Sequence, residues 1–306
     1  MRILVTGANG NLGNYLCEEL LSRGHSVRAM THYNSHNLTR LKKDLEIVKA
    51  DIRFADECFE SSKDCDSIIH LAACINVDRS RFHPRLFYET NVQGTMNMLE
   101  ASRINDCTMV YMSTCEVLGN IPIGKASEEY SFKQPCSPYA SSKYAAESYC
   151  YAYYSTYGLQ VNVARGFNLC GPRQKRGSKG AVIPIFVNQI LSGNPPIIFG
   201  DGKQTRDYVD VRDNVKGLSL LAESNFKGEL FHLCSGKETS VNEISSTIIG
   251  QLGSKLKPIY RDARPGELRR SVGDNAKIKS LLDWEPTISF DSMVSDVINY
   301  QKSQLS

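Results

Sequence analysis

Apolar positions in the first half of the chain fall into short runs separated by amphipathic stretches. Residues 2–6 predict a strand, the helical spacing from Asn11 to about Ser22 predicts a helix ended by Gly24, and residues 26–30 predict a second strand. Residues 47–52 predict a third strand with Asp51 at its end, residues 67–73 a fourth, and residues 88–101 an amphipathic helix. Residues 110–112 read as the end of a buried strand. Pro138 opens a helix that runs to Tyr157, and residues 160–164 form the next strand. Beyond this point the alternation gives way to longer irregular segments. A helix over 181–191 follows the Gly-bearing stretch 177–180, which reads as flexible. Strand, glycine turn and strand follow over 196–209. Helices are expected over 211–223, 241–252, 275–282 and 290–301, with a strand over 229–234 and a loop over 263–267. Strand–helix alternation of this kind predicts an α/β fold, a doubly wound parallel sheet accompanied by a smaller region.

Composition excludes more than it assigns. With 306 residues, 41% hydrophobic and 23% charged, the chain has ordinary globular composition and length for one large or two interleaved domains. A net charge of +3 without any basic run argues against a nucleic-acid partner. No apolar run reaches transmembrane length, and the opening residues read as a strand and not a secretory leader, so a cytoplasmic protein with no membrane partner is expected. The ten cysteines are scattered without any Cys-x-x-Cys, so neither a metal site nor a disulfide framework is expected.

The candidate chemistry begins at the first turn. Gly7-Ala-Asn9-Gly10-Asn11-Leu12-Gly13 lies between strand and helix, where three glycines let the backbone approach a pyrophosphate at a helix N-terminus. An acidic residue after the second strand would hold the adenosine ribose of NAD. Thr31, His32, Tyr33, Asn34 and Ser35 occupy that place, with no Asp or Glu and no adjacent Arg, so this rule does not choose between cofactors. NAD is the expectation and NADP the alternative. Asp51 and Ile52 end the third strand where a side chain reaches the adenine. Leu71, Ala72 and Ala73 end the fourth, where small residues let backbone pass close to a cofactor or simply pack. Asn91 either ties neighbouring strands and an active-site water or is a satisfied polar residue in a helix–sheet seam.

Thr114, Cys115 and Glu116 emerge at the carboxyl end of the strand ending near Met112, where open parallel sheets bind ligands. Tyr139 and Lys143, four apart, share a helical face. A lysine beside a phenol favours the phenolate, so Tyr139 is expected to carry a lowered pKa and to act as acid–base on an alcohol.

Taken together these residues resemble the extended short-chain dehydrogenase/reductases, specifically their NAD-dependent nucleotide-sugar epimerases and dehydratases. The resemblance spans essentially the whole chain. It rests on Gly7/Gly10/Gly13, His70-Leu-Ala-Ala73, Asn91, Ser113-Thr114, Tyr139/Lys143, Asn168 with Gly171-Pro172-Arg173, Gly200-Asp-Gly202 with Arg206-Asp207-Tyr208, and Arg264-Pro265-Gly266-Glu267. It implies a Rossmann domain over 1–167 plus about 209–236, with Phe167 also at the cofactor, and a sugar-nucleotide-binding domain over 168–208 and 237–306. Asn168, Arg173, Val182, Arg206 and Arg264 then fall at substrate-binding positions, and guanidinium forks suit a diphosphate. Phe199 packs on the base or belongs to the core.

Within that family Glu116 resembles the acid of the hexose 4,6-dehydratases. Cys115 departs from their pattern, which carries Asp or Ser there, and Leu118 stands where Tyr is usual. The implied reaction is a 4,6-dehydration of an NDP-hexose or UDP-N-acetylhexosamine. Tyr139, helped by Thr114, takes the proton of the 4-hydroxyl, Glu116 takes the C5 proton, and Cys115 or protonated Glu116 supplies the proton for loss of water. A 5,6-dehydratase giving an exo-glycal and a plain 4-epimerase are the rival outcomes, and a cofactor-sensing binding protein is the alternative of another class. The tyrosine-rich helix over 144–157 suggests a homodimer seam or, equally, a core contact.

Overall fold

The computed structural model describes residues 1–131, 133–174, 181–264 and 267–305. Two compact units emerge. The first comprises Met1–Val117, Pro135–Gly166 and Val215–Phe231, and the second Leu118–Gln134, Phe167–Asn214 and His232–Ser306.

The first unit is built on strands β1 (Arg2–Thr6), β2 (Ser26–Thr31), β3 (Leu45–Lys49), β4 (Ser67–His70), β5 (Thr108–Thr114) and β6 (Val161–Gly166). A seven-stranded sheet has the order Leu230–Leu233, β6, β5, β4, β1, β2, β3, and the pairings among β1–β6 are parallel. β1, β2, β4, β5 and β6 are mostly buried, as parallel strands covered on both faces must be, while β3 at the sheet edge buries only Leu45. The order reverses between β1 and β4, the crevice where ligands bind in open sheets. Helices α1 (Asn11–Ser22), α2 (Ala55–Ser62), α3 (Val77–Phe82), α4 (Pro84–Phe87), α5 (Gly94–Ile104) and α6 (Pro138–Tyr157) join the strands. Leu4, Met30, Ile68, Met98, Leu99, Met109, Tyr111 and Val161 belong to one buried cluster of this unit.

Several elements depart from the sequence expectation. The third strand ends at Lys49 and not at residue 52, because its pairing with β2 stops at Thr31↔Lys49 and the chain then turns. Asp51 accepts from the backbone N–H of Arg53 in that turn. The expected helix over 88–101 is two structures, a π-helical turn at Tyr88–Gln93 followed by α5. A 3₁₀ turn at His36–Leu41 follows β2.

In the second unit, strands 168–170 and 208–210 pair in parallel, as do 197–199 and 259–261. Thr205–Arg206 lies between Thr239–Ser240 and Arg270–Ser271. The expected strand, glycine turn and strand over 196–209 is present, and its arms pair with different partners. Gly200 and Gly202, at φ +72° and +70°, make the reversal that separates them. Ile183, Phe186, Ile190, Ile244, Ile248 and Val297 form the core. Residues 118–134, expected in the first domain, belong to this unit. Ile121 and Ala126 donate backbone N–H groups to Arg270 and Val272, and the Arg270 guanidinium donates to the carbonyls of Ile121 and Gly124. The flexible reading of 177–180, and Pro265 and Gly266, fall outside the described residues. No helix among the described residues is long and apolar enough to cross a membrane.

Candidate active site

Gly7 turns the chain at φ +68°, and the N–H of Gly10 closes the turn onto the Gly7 carbonyl at 2.9 Å. A methyl on Gly13 would stand 2.4 Å from that oxygen, and one on Gly7 2.9 Å from the backbone nitrogen of Ala72. Close backbone approach thus explains two of the three glycines. Gly10 caps α1 without any side-chain cap, and no acidic residue occupies the first turn. The exposed N–H groups and the positive end of the helix suit an anion. The buried Oδ1 of Asn11, the first residue of α1, has no hydrogen-bond partner, and neither has the buried Oγ of Ser113 near the end of β5. The close turn and the helix N-terminus without a side-chain cap fit a dinucleotide diphosphate.

The loop after β2 is tied to this turn by asparagines. Asn9 donates to Asn34 at 2.8 Å, while Asn37 donates its backbone N–H to Asn9 Oδ1 at 2.9 Å and its side chain to Asn9 O at 2.7 Å. Sequence reading missed Asn37, whose partners lie 28 positions away. Tyr33 is exposed and its ring stacks on His32. His32 Nε2 lies 2.9 Å from Asp51, whose carboxylate also accepts from Arg53 Nε. Burial pulls this carboxyl up, but the bonds from Arg53 and the nearby His32 outweigh it and hold Asp51 below its ordinary value. Arg40 pairs with Glu18 and Asn14. Ile52 is buried beneath Gly94, where a methyl would meet its Cδ1 at 2.6 Å. Thr31 is buried at the end of β2, Ser35 precedes the 3₁₀ turn, and Leu12 and Ala73 are half-buried.

The second cluster lies on β5, the 3₁₀ turn Cys115–Leu118 and α6. Ser137 caps α6 by accepting from Ala140 at 3.1 Å and Pro138 fills its first position, which places Tyr139 and Lys143 in the first two turns. Both side chains are buried. Lys143 Nζ donates to the Met112 carbonyl at 2.7 Å and lies 4.2 Å from the centre of the Tyr111 ring. Burial pushes its amine down to about 7, with the nearby Glu147 pulling the other way.

The expected lowering of the Tyr139 pKa is therefore corrected. Burial pushes this phenol up, a hydrogen bond with the Thr114 hydroxyl pulls the other way, and the neighbouring Glu116 and Cys115 add to the rise. The lysine's charge is directed at a carbonyl and an aromatic face, which leaves desolvation to dominate. Phe87 packs edge-on against the Tyr139 ring. Cys115 is buried and Glu116 half-buried, with the Glu116 N–H donating to Thr114 Oγ1 at 3.3 Å.

Asn91 is also more fully engaged than expected. Its Oδ1 accepts from Cys74 N at 2.7 Å, and its Nδ2 donates to Cys74 O and to Ser142 Oγ, both at 2.9 Å. Both amide protons are used within the protein, tying the segment at Cys74 to α6. One turn further along α6, Glu147 receives a two-pronged bond from the buried Arg165 at 2.8 and 2.6 Å. Neither is among the site residues expected from the sequence, although 143 and 147 share a helical face.

In the second unit, Asn168 pairs with Tyr208 across the parallel strands and donates its side chain to the Asp207 carbonyl at 3.2 Å. Arg206 is half-buried and donates to its neighbour's carbonyl. Asp207, noted only as part of a motif, is the organiser. Its buried carboxylate accepts from Ser235 N and Oγ, Gly236 N and Gly273 N at 2.6–3.2 Å. The Arg264 guanidinium stacks on Phe199 at 4.0 Å, so the two expected substrate contacts touch each other. Phe167 is buried with its ring edge-on to His232. Arg173 is half-buried, and Val182 begins the helix Val182–Leu191.

Comparison with known proteins sets this geometry in context. The profile of the NAD dependent epimerase/dehydratase family matches residues 3–234. A putative UDP-glucose 4-epimerase of Methanocaldococcus jannaschii is 36% identical over 98% of both chains. A UDP-glucose 4-epimerase of Mycolicibacterium smegmatis is 34% identical over 99% of both. Among solved structures, the UDP-glucose 4-epimerase of Thermotoga maritima with UDP-glucose superposes with a TM-score of 0.94 at 30% identity, covering 100% of both chains. DesIV of Streptomyces venezuelae, a dTDP-glucose 4,6-dehydratase with NAD and TYD bound, gives 0.92 at 30%, covering 99% of this chain and 97% of its own.

Proposed function

The chain belongs to the NAD-dependent epimerase/dehydratase family, and we propose that within it this protein is a 4-epimerase of a UDP-hexose. The observation that carries the choice is the end-to-end similarity to two proteins named as UDP-glucose 4-epimerases. Cys115 is consistent with it: a buried thiol occupies the place where the dehydratase reading needs an acid to expel water.

The residues divide the work as follows. The Gly7–Gly13 turn and the α1 N-terminus hold the dinucleotide diphosphate. When bound, NAD supplies a hydride acceptor and donor at C4 and, in its oxidised form, a positive charge that favours the Tyr139 phenolate. Tyr139 accepts the proton of the 4-hydroxyl as the C–H bond breaks, and returns it to O4 once the opposite face of C4 has been reduced. Thr114, hydrogen-bonded to the phenol, steadies the negative oxygen. Arg206 and Arg264 serve the substrate diphosphate and Asn168 orients it, with Asp207 fixing the strands that carry Asn168 and Arg206.

A 4,6-dehydratase is the second reading, favoured by Glu116, whose charge lies close enough to raise the Tyr139 pKa. A mass spectrum after incubation with UDP-glucose and UDP-N-acetylglucosamine separates the two. Epimerisation leaves the mass unchanged, and a product lighter by one water would remove the epimerase reading. We propose further that the protein works in the cytoplasm as a homodimer joined through the exposed Tyr149, Tyr151 and Tyr157 of α6, a state that light scattering in solution tests.

A further inference from the structure

Each proton in one buried network can be placed from valence alone. Thr6 Oγ1 accepts from the backbone N–H groups of Leu71 and Ala72 at 3.1 and 3.0 Å. Both lone pairs are then taken, so its proton goes to His70 Nδ1, 2.7 Å away. Nδ1 is therefore the bare nitrogen of a neutral imidazole, and Nε2 carries the hydrogen. That hydrogen points to Thr95 Oγ1 at 3.2 Å, and the Thr95 hydroxyl donates in turn to the Asn91 carbonyl at 2.6 Å. From Asn91 the chain continues through Nδ2 to Ser142 Oγ, and the Ser142 hydroxyl donates to the Tyr139 carbonyl at 2.7 Å. Asn91 also clamps the backbone of Cys74 on both its N–H and its C=O.

The two ends of this chain are chemically distinct. Leu71 and Ala72 are the backbone that packs against Gly7, and Tyr139 carries the phenol at the start of α6. We infer that His70, locked as the Nε2-protonated neutral tautomer, is a positioning residue that sets the segment 71–74 and the first turn of α6 in register with each other. It touches neither substrate nor cofactor in this role. Its environment keeps it neutral: burial and the charge of Lys143 push the imidazole down to about 3, and the ring facing it from β5 is the uncharged Tyr111 at 5.8 Å. The π-helical turn at Tyr88–Gln93 contributes by placing Asn91 within reach of both Cys74 and Ser142.

The test has two arms, of which only the kinetic one rests on the proposed reaction. In the wild-type protein with ¹⁵N-labelled histidine, NMR should show His70 with bare Nδ1 and protonated Nε2, unchanged from about pH 5 to about pH 8, where an ordinary histidine titrates. A hydrogen on Nδ1, or titration in that range, would overturn the inference, and this readout needs no substrate. For the kinetic arm, Thr95→Val keeps the volume and removes the link, while Thr95→Ser restores the hydroxyl. Thr95→Val should lower kcat by roughly tenfold or more, toward the ~100-fold that a misplacement of about 1 Å can cost, with KM for the sugar nucleotide within about twofold of wild type. Thr95→Ser should recover most of kcat. A wild-type kcat in Thr95→Val, or no recovery in Thr95→Ser, would contradict the positioning role. If the valine variant fails to fold, the tautomer in the wild-type protein still decides. Failure of wild-type turnover with intact tautomer would count against the proposed reaction and not against His70.

Discussion

Lys143 donates to the main-chain carbonyl of Met112 at 2.7 Å, which pins the helix bearing Tyr139 to the strand bearing Thr114 through a charged bond in a fully buried place. Burying an ammonium favours its neutral form, and here the amine falls from the ordinary 10.5 to about 7. The folded protein therefore binds fewer protons at this site than the unfolded chain between about pH 7 and 10.5. Through this group, stability rises with pH across that window, and the cost is fully present below pH 7. Lys143→Met should melt at a higher temperature than wild type near pH 7, and the gap should shrink as the pH approaches 10.5. Paired thermal scans across that range test this; a gap that widens with pH would contradict it.

Tyr139→Phe keeps the ring against Phe87 and removes only the hydroxyl bonded to Thr114. Turnover should fall by about 10²–10⁴-fold, the usual weight of a general acid–base, with NAD still bound. Steady-state rates and cofactor fluorescence report the two separately. Substantial residual activity would take Tyr139 out of the mechanism.

The Glu147–Arg165 pair is almost wholly enclosed, at 7% and 2% side-chain exposure. Truncating one partner strands a buried charge. Arg165→Met alone should cost about 3–5 kcal/mol in urea unfolding, whereas Glu147→Met with Arg165→Met should recover much of the loss. Equal destabilisation in the single and double variants would mean that packing, and not the unpaired charge, sets the cost.

Gly13→Ala places a methyl 2.4 Å from the Gly7 carbonyl oxygen. The turn must open to accept it, so NAD affinity should drop sharply, measured by calorimetry, while urea unfolding still shows one cooperative transition. Unchanged affinity would separate this turn from the cofactor.

The difference between what could and could not be read from the chain follows from how local each feature is. The Gly7–Gly13 turn, the Tyr139/Lys143 pair and the helix start at Pro138 are each local in sequence, so spacing alone reveals them. The short helix α2 buries only Cys58, Ser61 and Ser62, too faint an apolar stripe to register. Ala50 and Ile52 are buried beyond the point where the ladder stops, so apolar pattern alone extends β3 too far. Helical spacing shows that Lys143 lies near Tyr139 but not that its ammonium points at Met112, so it does not give the direction of the Tyr139 pKa. The path from Thr6 through His70 and Asn91 to Ser142 joins residues 64, 25 and 51 positions apart, and no periodicity encodes such a closure.

The reaction itself turns on the C5–H bond, which a 4-epimerase leaves intact and a dehydratase must break. Wild-type protein with NAD and UDP-glucose or UDP-N-acetylglucosamine in deuterium oxide, followed by proton NMR, reads this directly. The C4 epimer should accumulate with its C5 proton retained and no deuterium at C5. Solvent deuterium at C5 of a 4-keto-6-deoxy product, or a C5=C6 alkene, would contradict the epimerase account and make Glu116 the base.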